Sequence, residues 1–295
     1  VHSPTADHPV AVPVLRMTAF PAGPGGGNPA GVVLDATGLP DALMQEVAAR
    51  VGYSETAFLT APPTSLRPDR AGIRYFSPVA EVPFCGHATI ATAVALAQRD
   101  GPGTTVFETP VGEVEIRTVA GPDGPTASFT SREPRVDDLD DAVLQRLLGL
   151  LGLTAADLHP DLPPRLAFAG NVHPVVVLAH REAFDAFSFD PTAVRALMDE
   201  QGWRATVTVV LPLDERDFEA RNLFPVGTLS EDPATGSAAA SLGGYLRTLR
   251  PGSAPFRFTV HQGRHVGRPS LIAVDVPARG GIVVSGTATL LAHDG

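Results

Sequence analysis

Lysine is absent from this 295-residue chain, and all 22 of its basic residues are arginine. That absence removes two classes of chemistry at once. A pyridoxal-phosphate enzyme needs a lysine for its Schiff base, and a Walker-type phosphate loop needs one to reach the phosphates. Schiff-base formation with a protein amine is limited to the chain terminus. Cysteine occurs once, at Cys85, which rules out an internal disulfide and any thiolate-rich metal site. No run of about 20 apolar residues is present to span a membrane. Long basic patches are also missing, and 32 acidic residues give a net charge of −10. Nucleic acid and anionic membrane are therefore poor candidates for partners. A polar start, residues 1–9, lacks the pattern of a signal peptide, so a cytoplasmic location is the expectation.

What the chain has is a large apolar fraction, 44%, with 18% charged residues, as in a well-packed globular protein. Its length suits two domains. Two short turns of small residues each run into a long apolar segment of helical length. The first is Cys85-Gly86-His87-Ala88-Thr89 and the second is Asp232-Pro233-Ala234-Thr235-Gly236-Ser237. A helix start offers unpaired N–H groups and a positive dipole end, so two of them could bracket one small anion. The acidic total does not oppose this, because local helix ends and single arginines decide the matter.

Residues 1–11 read as a loose tail. Strands are expected at 12–20 and 31–34 around a Gly- and Pro-rich loop, 21–29, with a helix at 40–51 and further strands at 54–59, 73–76, 106–118 and 127–130. The polar, acidic stretch 132–141 marks a domain boundary, giving domains at 12–133 and 138–292. The second half repeats the first in outline: helices at 141–151 and 191–201, strands at 166–168, 174–178, 206–211 and 218–223, then the second glycine turn and closing strands at 256–262, 271–276 and 282–291. Helices apolar on nearly every side must be buried all round. The expected fold is therefore α+β, with two domains, each a sheet or barrel wrapped around a central apolar helix. Small residues such as Gly243 and Gly244 let the sheets come close.

Glu55 interrupts an apolar segment, where partial desolvation raises a carboxyl toward the range useful for acid–base work; the plain alternative is a solvent-facing strand residue. His87 suits a base, a donor or a helix-start residue. Cys85 and His87 resemble a nucleophile and base, but neighbours this close in sequence rarely point at each other, and a lone cysteine is usually a small buried hydrophobe. His173, His261 and His265 are scattered and form no convincing metal set. Asp232, Thr235 and Ser237 have helix capping as their plain reading. Gly236 between them opens the turn so that N–H groups can face a ligand. Arg221 and Arg264 are further candidates for holding a carboxylate.

Five ordered motifs then resemble those of the PhzF-like (phenazine biosynthesis-like) isomerases: Gly27-Asn28-Pro29-Ala30-Gly31, Ser54-Glu55-Thr56, Ile73 to Pro78, Cys85 to Thr89 and Glu231 to Ala238. The match runs from about Val12 to the C-terminus, continued by Gln262-Gly263 and Gly267-Arg268. The resemblance implies a diaminopimelate-epimerase fold with two pseudo-symmetric domains, an active site in the cleft between them, no cofactor and a homodimer. It implies that Glu55 moves a proton between carbons of a cyclohexadiene amino acid, trans-2,3-dihydro-3-hydroxyanthranilate in the best-known member, assisted by His87 and Asp232. Backbone groups at Gly86, Gly236 and Ser237 would hold the substrate carboxylate. Related epimerases use two cysteines, which this chain cannot supply. The chain departs from the family in its glycine-rich loop 22–27 and in Gly227 to Ser230, both expected to border the pocket.

The leading expectation is a cofactor-independent isomerase of secondary metabolism acting on a small carboxylate. The competing readings are a hydrolase or lyase using Cys85, and a non-catalytic protein that sequesters a carboxylate. Intact Glu55, His87 and Asp232 favour an enzyme.

Overall fold

A computed structural model describes residues 12–226 and 229–291. The expected tail at 1–11 and the departure at Gly227 and Thr228 lie outside the described residues. In the first half the chain forms β1 (Leu15–Ala19), β2 (Asn28–Val33), α1 (Asp41–Val51), β3 (Glu55–Ala61), β4 (Arg70–Phe76), β5 (Glu81–Val82), α2 (Gly86–Asp100), β6 (Thr104–Thr109), β7 (Gly112–Val119) and β8 (Thr126–Thr130). A short β9 (Arg135–Asp138) leads into the second half: α3 (Asp141–Leu150), β10 (Arg165–Phe168), β11 (Val172–Val177), α4 (Arg181–Ala186), α5 (Pro191–Gln201), β12 (Val207–Pro212), β13 (Asp217–Val226), β14 (Leu229–Asp232), α6 (Gly236–Leu249), β15 (Phe256–Gln262), β16 (Ser270–Val276) and β17 (Val283–Leu290). The α+β class holds.

Strand directions show that the halves follow one plan. Most neighbours are antiparallel, but β2 runs parallel to β3 and β4 parallel to β6. In the second half β11 is parallel to β12 and β13 to β15. A parallel pair needs a crossover, and these gaps are where the helices lie. The α2 helix crosses between β4 and β6, and α6 crosses between β13 and β15. The two central helices are thus the same crossover used twice.

Each half also lends the other a strand. The first ring runs from β1 through β2, β3, β4, β6, β7 and β8, and closes because β17 pairs with both β8 and β1. In return β9, the continuation of β8, pairs with β10 of the second half. The polar stretch 132–141 is thus where the chain crosses between halves, and it contains this edge strand as well. Short elements such as β5, β9, β14 and α4 escape the sequence pattern because two to six residues carry too little periodicity. Strand β2 begins at Asn28, inside the expected loop, because Asn28 pairs with Ala19 across the ladder.

Helix α2 is buried without a break from His87 to Ala97, and α6 from Ala238 to Leu246. Their residues share one core that runs through both halves. Outside it, α1 covers the first sheet, while α3 and α5 cover the second. Close approach at α6 depends on glycine. A Cβ on Gly243 would stand 2.8 Å from Ile282 Cγ2, and one on Gly244 only 2.4 Å from the Pro134 ring. Alanine in a helix interior normally gains about 1 kcal/mol over glycine. Here overpacking, of about 1–3 kcal/mol, opposes that gain. Gly244→Ala is expected to lower the urea midpoint; a raised midpoint would show that Pro134 yields freely.

Candidate active site

Four separate segments deliver the polar groups. Asn28 opens β2, Glu55 opens β3 in register with Ala30, Cys85 and His87 flank the first residue of α2, and Asp232 ends β14. They converge on one half-buried cluster. The Glu55 Oε2 lies 3.4 Å from His87 Nε2 and 3.5 Å from Cys85 Sγ. The Ser54 hydroxyl is 3.4 Å from the same ring nitrogen. The other ring nitrogen, Nδ1, faces Asn28 Nδ2 at 3.2 Å. Asn28 donates to Asp232 Oδ1 at 2.8 Å and to the Ala234 carbonyl at 3.1 Å, which joins the two halves of the chain.

The expectation that Cys85 and His87 point apart is overturned, since Sγ lies 3.4 Å from His87 Nδ1. Cys85 is the residue before the helix, in an extended conformation with φ −139°. That backbone turns its side chain back over the first helical turn, where His87 also points. The thiol is buried, and burial together with the Glu55 carboxylate beside it pushes its pKa well above the ordinary value. It therefore stays a thiol and donates toward Glu55, a poor nucleophile in this setting.

Asp232 is not a helix cap. Its second oxygen accepts from the Thr235 hydroxyl, and α6 begins without any side-chain cap. Desolvation pushes the Asp232 carboxyl up to about 6. Gln262 braces the turn, donating to the Asp232 carbonyl at 2.6 Å and accepting from the Thr235 N–H at 3.1 Å. The first backbone bond of α6 is Ala239 N–H to Thr235 O, so the N–H groups of Gly236, Ser237 and Ala238 point beyond the helix start. In α2 the first such bond runs from Thr89 to Cys85. One edge of the Phe129 ring meets both starts: a Cβ on Gly236 would lie 3.3 Å from it and one on Gly86 3.9 Å.

Phe129 also lines a cavity of about 230 Å³, walled by Phe84, Val114 and Ala169 and rimmed by Arg132, Asn171 and Ser237. Glu55, His87 and Asp232 are not on its wall; Ser237 is the residue it shares with the helix-start turn. Ser237 Oγ meets His173 Nε2 at 3.0 Å, a contact between β11 and α6. His173, Asn28 and Gln262 were not singled out as site residues from sequence. Asn28 lay in a recognised motif, Gln262 in its continuation, and His173 carried no local signal.

Other candidates go elsewhere. Arg221 is buried against Glu231, and Arg264 pairs with Glu219 and Asp185, so neither is free to hold a carboxylate. His261 pairs with Asp217, and His265 sits near Asp185. The loop 22–27 packs on the segment just before β16, where Gly26 and Gly27 meet Pro269 and Arg268; its contribution to the site is Asn28, just beyond it. Among the described residues, two groups hold three possible metal-ligand atoms within 4.8 Å of one another: Glu55, Cys85 and His87, and Asp185, Glu219 and His265. In the second, Arg181 and Arg264 already neutralise both carboxylates. In the first, the thiol would have to lose its tightly held proton to bind a metal ion. As arranged, the first group is suited to passing a proton between Glu55 and His87.

A family model described as phenazine biosynthesis-like protein matches residues 17–294. A curated relative from Escherichia coli O157:H7, named uncharacterized isomerase YddE, is 32% identical over 290 residues, covering 95% of this chain and 96% of the relative. Among solved structures, the PhzF-family phenazine biosynthesis protein of Bacillus anthracis has a TM-score of 0.82 at 26% identity, covering 95% of this chain and 96% of that one. A hydroxyproline epimerase from Agrobacterium vitis, with trans-4-hydroxy-L-proline bound, has a TM-score of 0.58 at 14% identity, covering 95% of this chain and 90% of that one; it shares the fold alone.

Proposed function

This chain belongs to the phenazine biosynthesis-like (PhzC-PhzF) protein family, and from that premise we propose that it is a cofactor-independent isomerase of secondary metabolism. It shifts a proton within a small carboxylated substrate. The observation that carries the reading is the contact of Glu55 with His87 beside two helix starts that meet the same edge of the Phe129 ring. Glu55 takes a proton from carbon, and the charge that develops spreads into the substrate carboxylate. Unpaired N–H groups of Gly86, Gly236 and Ser237 stabilise that charge as it forms. Glu55 then returns the proton to another carbon of the conjugated system, with His87 as its immediate exchange partner.

Of the second residues of the two helices, His87 of α2 is the one able to exchange a proton. Ser237 holds in α6 the place that His87 holds in α2, and its partner His173 is kept neutral by burial, at about 4. This favours a double-bond shift on one face over inversion of a stereocentre, which needs opposed acid and base. Incubation in heavy water with a panel of cyclic unsaturated carboxylates tests the reading: deuterium is expected to enter the substrate at exchangeable carbon positions without inversion. Failure to exchange with any member of the panel would count against an isomerase. Under the same conditions Cys85→Ser is expected to keep exchange within about tenfold, since the serine hydroxyl keeps a hydrogen-bond donor beside Glu55; a hydrolase using the thiol would lose its activity.

The Asp232 carboxyl supplies a pH signature. Both of its oxygens accept hydrogen bonds, from Asn28 and Thr235, so the ionised form is the working one. With its pKa raised to about 6, the group gains a proton as pH falls through that value and the arrangement is lost. The ratio kcat/KM is expected to fall about tenfold per pH unit below 6 and to level off above it. In Asp232→Asn this limb should vanish along with most of the activity; its survival would assign the inflection to another group.

A further inference from the structure

His173 is fully buried on β11, and its two ring nitrogens have different neighbours. Nδ1 lies 3.0 Å from the Thr206 carbonyl and 2.9 Å from the Thr206 hydroxyl. A carbonyl oxygen only accepts, so Nδ1 carries the hydrogen. The Thr206 hydroxyl donates to Asn222 Oδ1 at 3.0 Å, and Thr208 donates to the same oxygen at 2.7 Å, which leaves a Thr206 lone pair for the ring. Burial keeps the imidazole singly protonated. Nε2 is then a bare acceptor, and Ser237 Oγ, 3.0 Å away, must give it the hydroxyl hydrogen.

The consequence falls on the cleft beside Phe129, the cavity that Ser237 rims and whose wall does not include Glu55, His87 or Asp232. A hydroxyl committed to His173 presents only lone pairs to a ligand. It repels a carboxylate oxygen and attracts an N–H or O–H. We propose that His173 is a positioning residue that holds the Ser237 hydroxyl as a hydrogen-bond acceptor toward the cleft, selecting substrates that carry an amine or hydroxyl beside the carboxylate. The selection rests on the carboxylate reading above; the orientation of the hydroxyl does not. The backbone N–H groups of the helix starts take the carboxylate, and Ser237 reads its neighbour.

The test has two arms. Long-range proton–nitrogen NMR on the ligand-free, histidine-labelled protein between pH 5 and 8 is expected to show one ring fixed in the Nδ1–H form, identified by the shift its Nε2 makes in Ser237→Ala. A ring in the Nε2–H form, or one that charges across this range, overturns the proposal independently of any isomerase activity. In the second arm 2-aminobenzoate and 2-methylbenzoate, probes of similar size, are compared by calorimetry. The amino probe is expected to bind about tenfold tighter to the unmodified protein. That preference should collapse toward unity in Ser237→Ala and fall to about threefold or less in His173→Phe, where the hydroxyl is free to turn. Equal binding of the two probes, or a preference that survives Ser237→Ala, overturns the selection.

Discussion

Glu55→Gln is expected to reduce carbon–deuterium exchange by about 10²–10⁴-fold while leaving the fold intact, the range typical of a lost general base. Glutamine has the same shape, so the start of β3 keeps its packing and its register with Ala30. What it cannot do is accept a proton from carbon and hold it. The proposed carboxylate site draws on backbone N–H groups of α2 and α6, which this substitution does not touch. KM should therefore change little, and kcat and kcat/KM should fall together, the pattern of an interaction made only in the transition state. Cys85→Ser is the control, because it alters a direct neighbour of Glu55 without removing the base. Exchange by Glu55→Gln within tenfold of the unmodified protein would sink the assignment and move the base to His87. An unchanged circular-dichroism melt is needed beside the rate, so that a loss of exchange is not a loss of folded protein.

The two glycine turns were legible in the sequence because their physics is local. A small-residue turn before an all-apolar segment implies a helix start and a buried helix, and α2 and α6 are both. The repeat of the halves was legible in outline for the same reason, from recurring strand and helix lengths. What could not be read was set by long-range pairing. The placing of β17 in the first ring depends on contacts more than a hundred residues apart, such as Val284 with Phe129. His173 stands between Val172 and Pro174 in sequence and 64 residues from Ser237, so only the crossover of α6 reveals their contact. Cys85 and His87 were misjudged for a local reason, the extended backbone just before the helix, which sequence spacing alone does not report. Arg221 and Arg264 were misplaced because a guanidinium is equally at home with a ligand or with a buried protein carboxylate, and sequence cannot tell which is nearer.

Arg221→Leu is expected to destabilise the protein by about 3–5 kcal/mol, the range for breaking a buried ion pair from one side. The side chains of Arg221 and Glu231 are 8% and 7% exposed and meet at 2.6 Å. Arg221 also donates to the carbonyls of Phe184 and Phe187, at 3.1 and 2.9 Å, and its guanidinium lies 3.6 Å over the Phe187 ring. Leucine replaces the volume but abandons one carboxylate and two carbonyls away from water. The double variant Arg221→Leu with Glu231→Leu removes the stranded charge and should recover part of the loss, so the two effects are not additive. The consequence reaches the site because Glu231 and Asp232 are consecutive on β14, paired with Leu223 and Asn222 of β13. Loosening that pair frees Asp232 to leave Asn28. Activity measured well below the melting point should therefore fall in Arg221→Leu, and its acid limb near pH 6 should shift toward the ordinary carboxyl range as Asp232 gains water. Urea unfolding gives the first quantity and the pH profile the second. A loss below about 1 kcal/mol would place this pair among ordinary surface ion pairs and detach it from the positioning of Asp232.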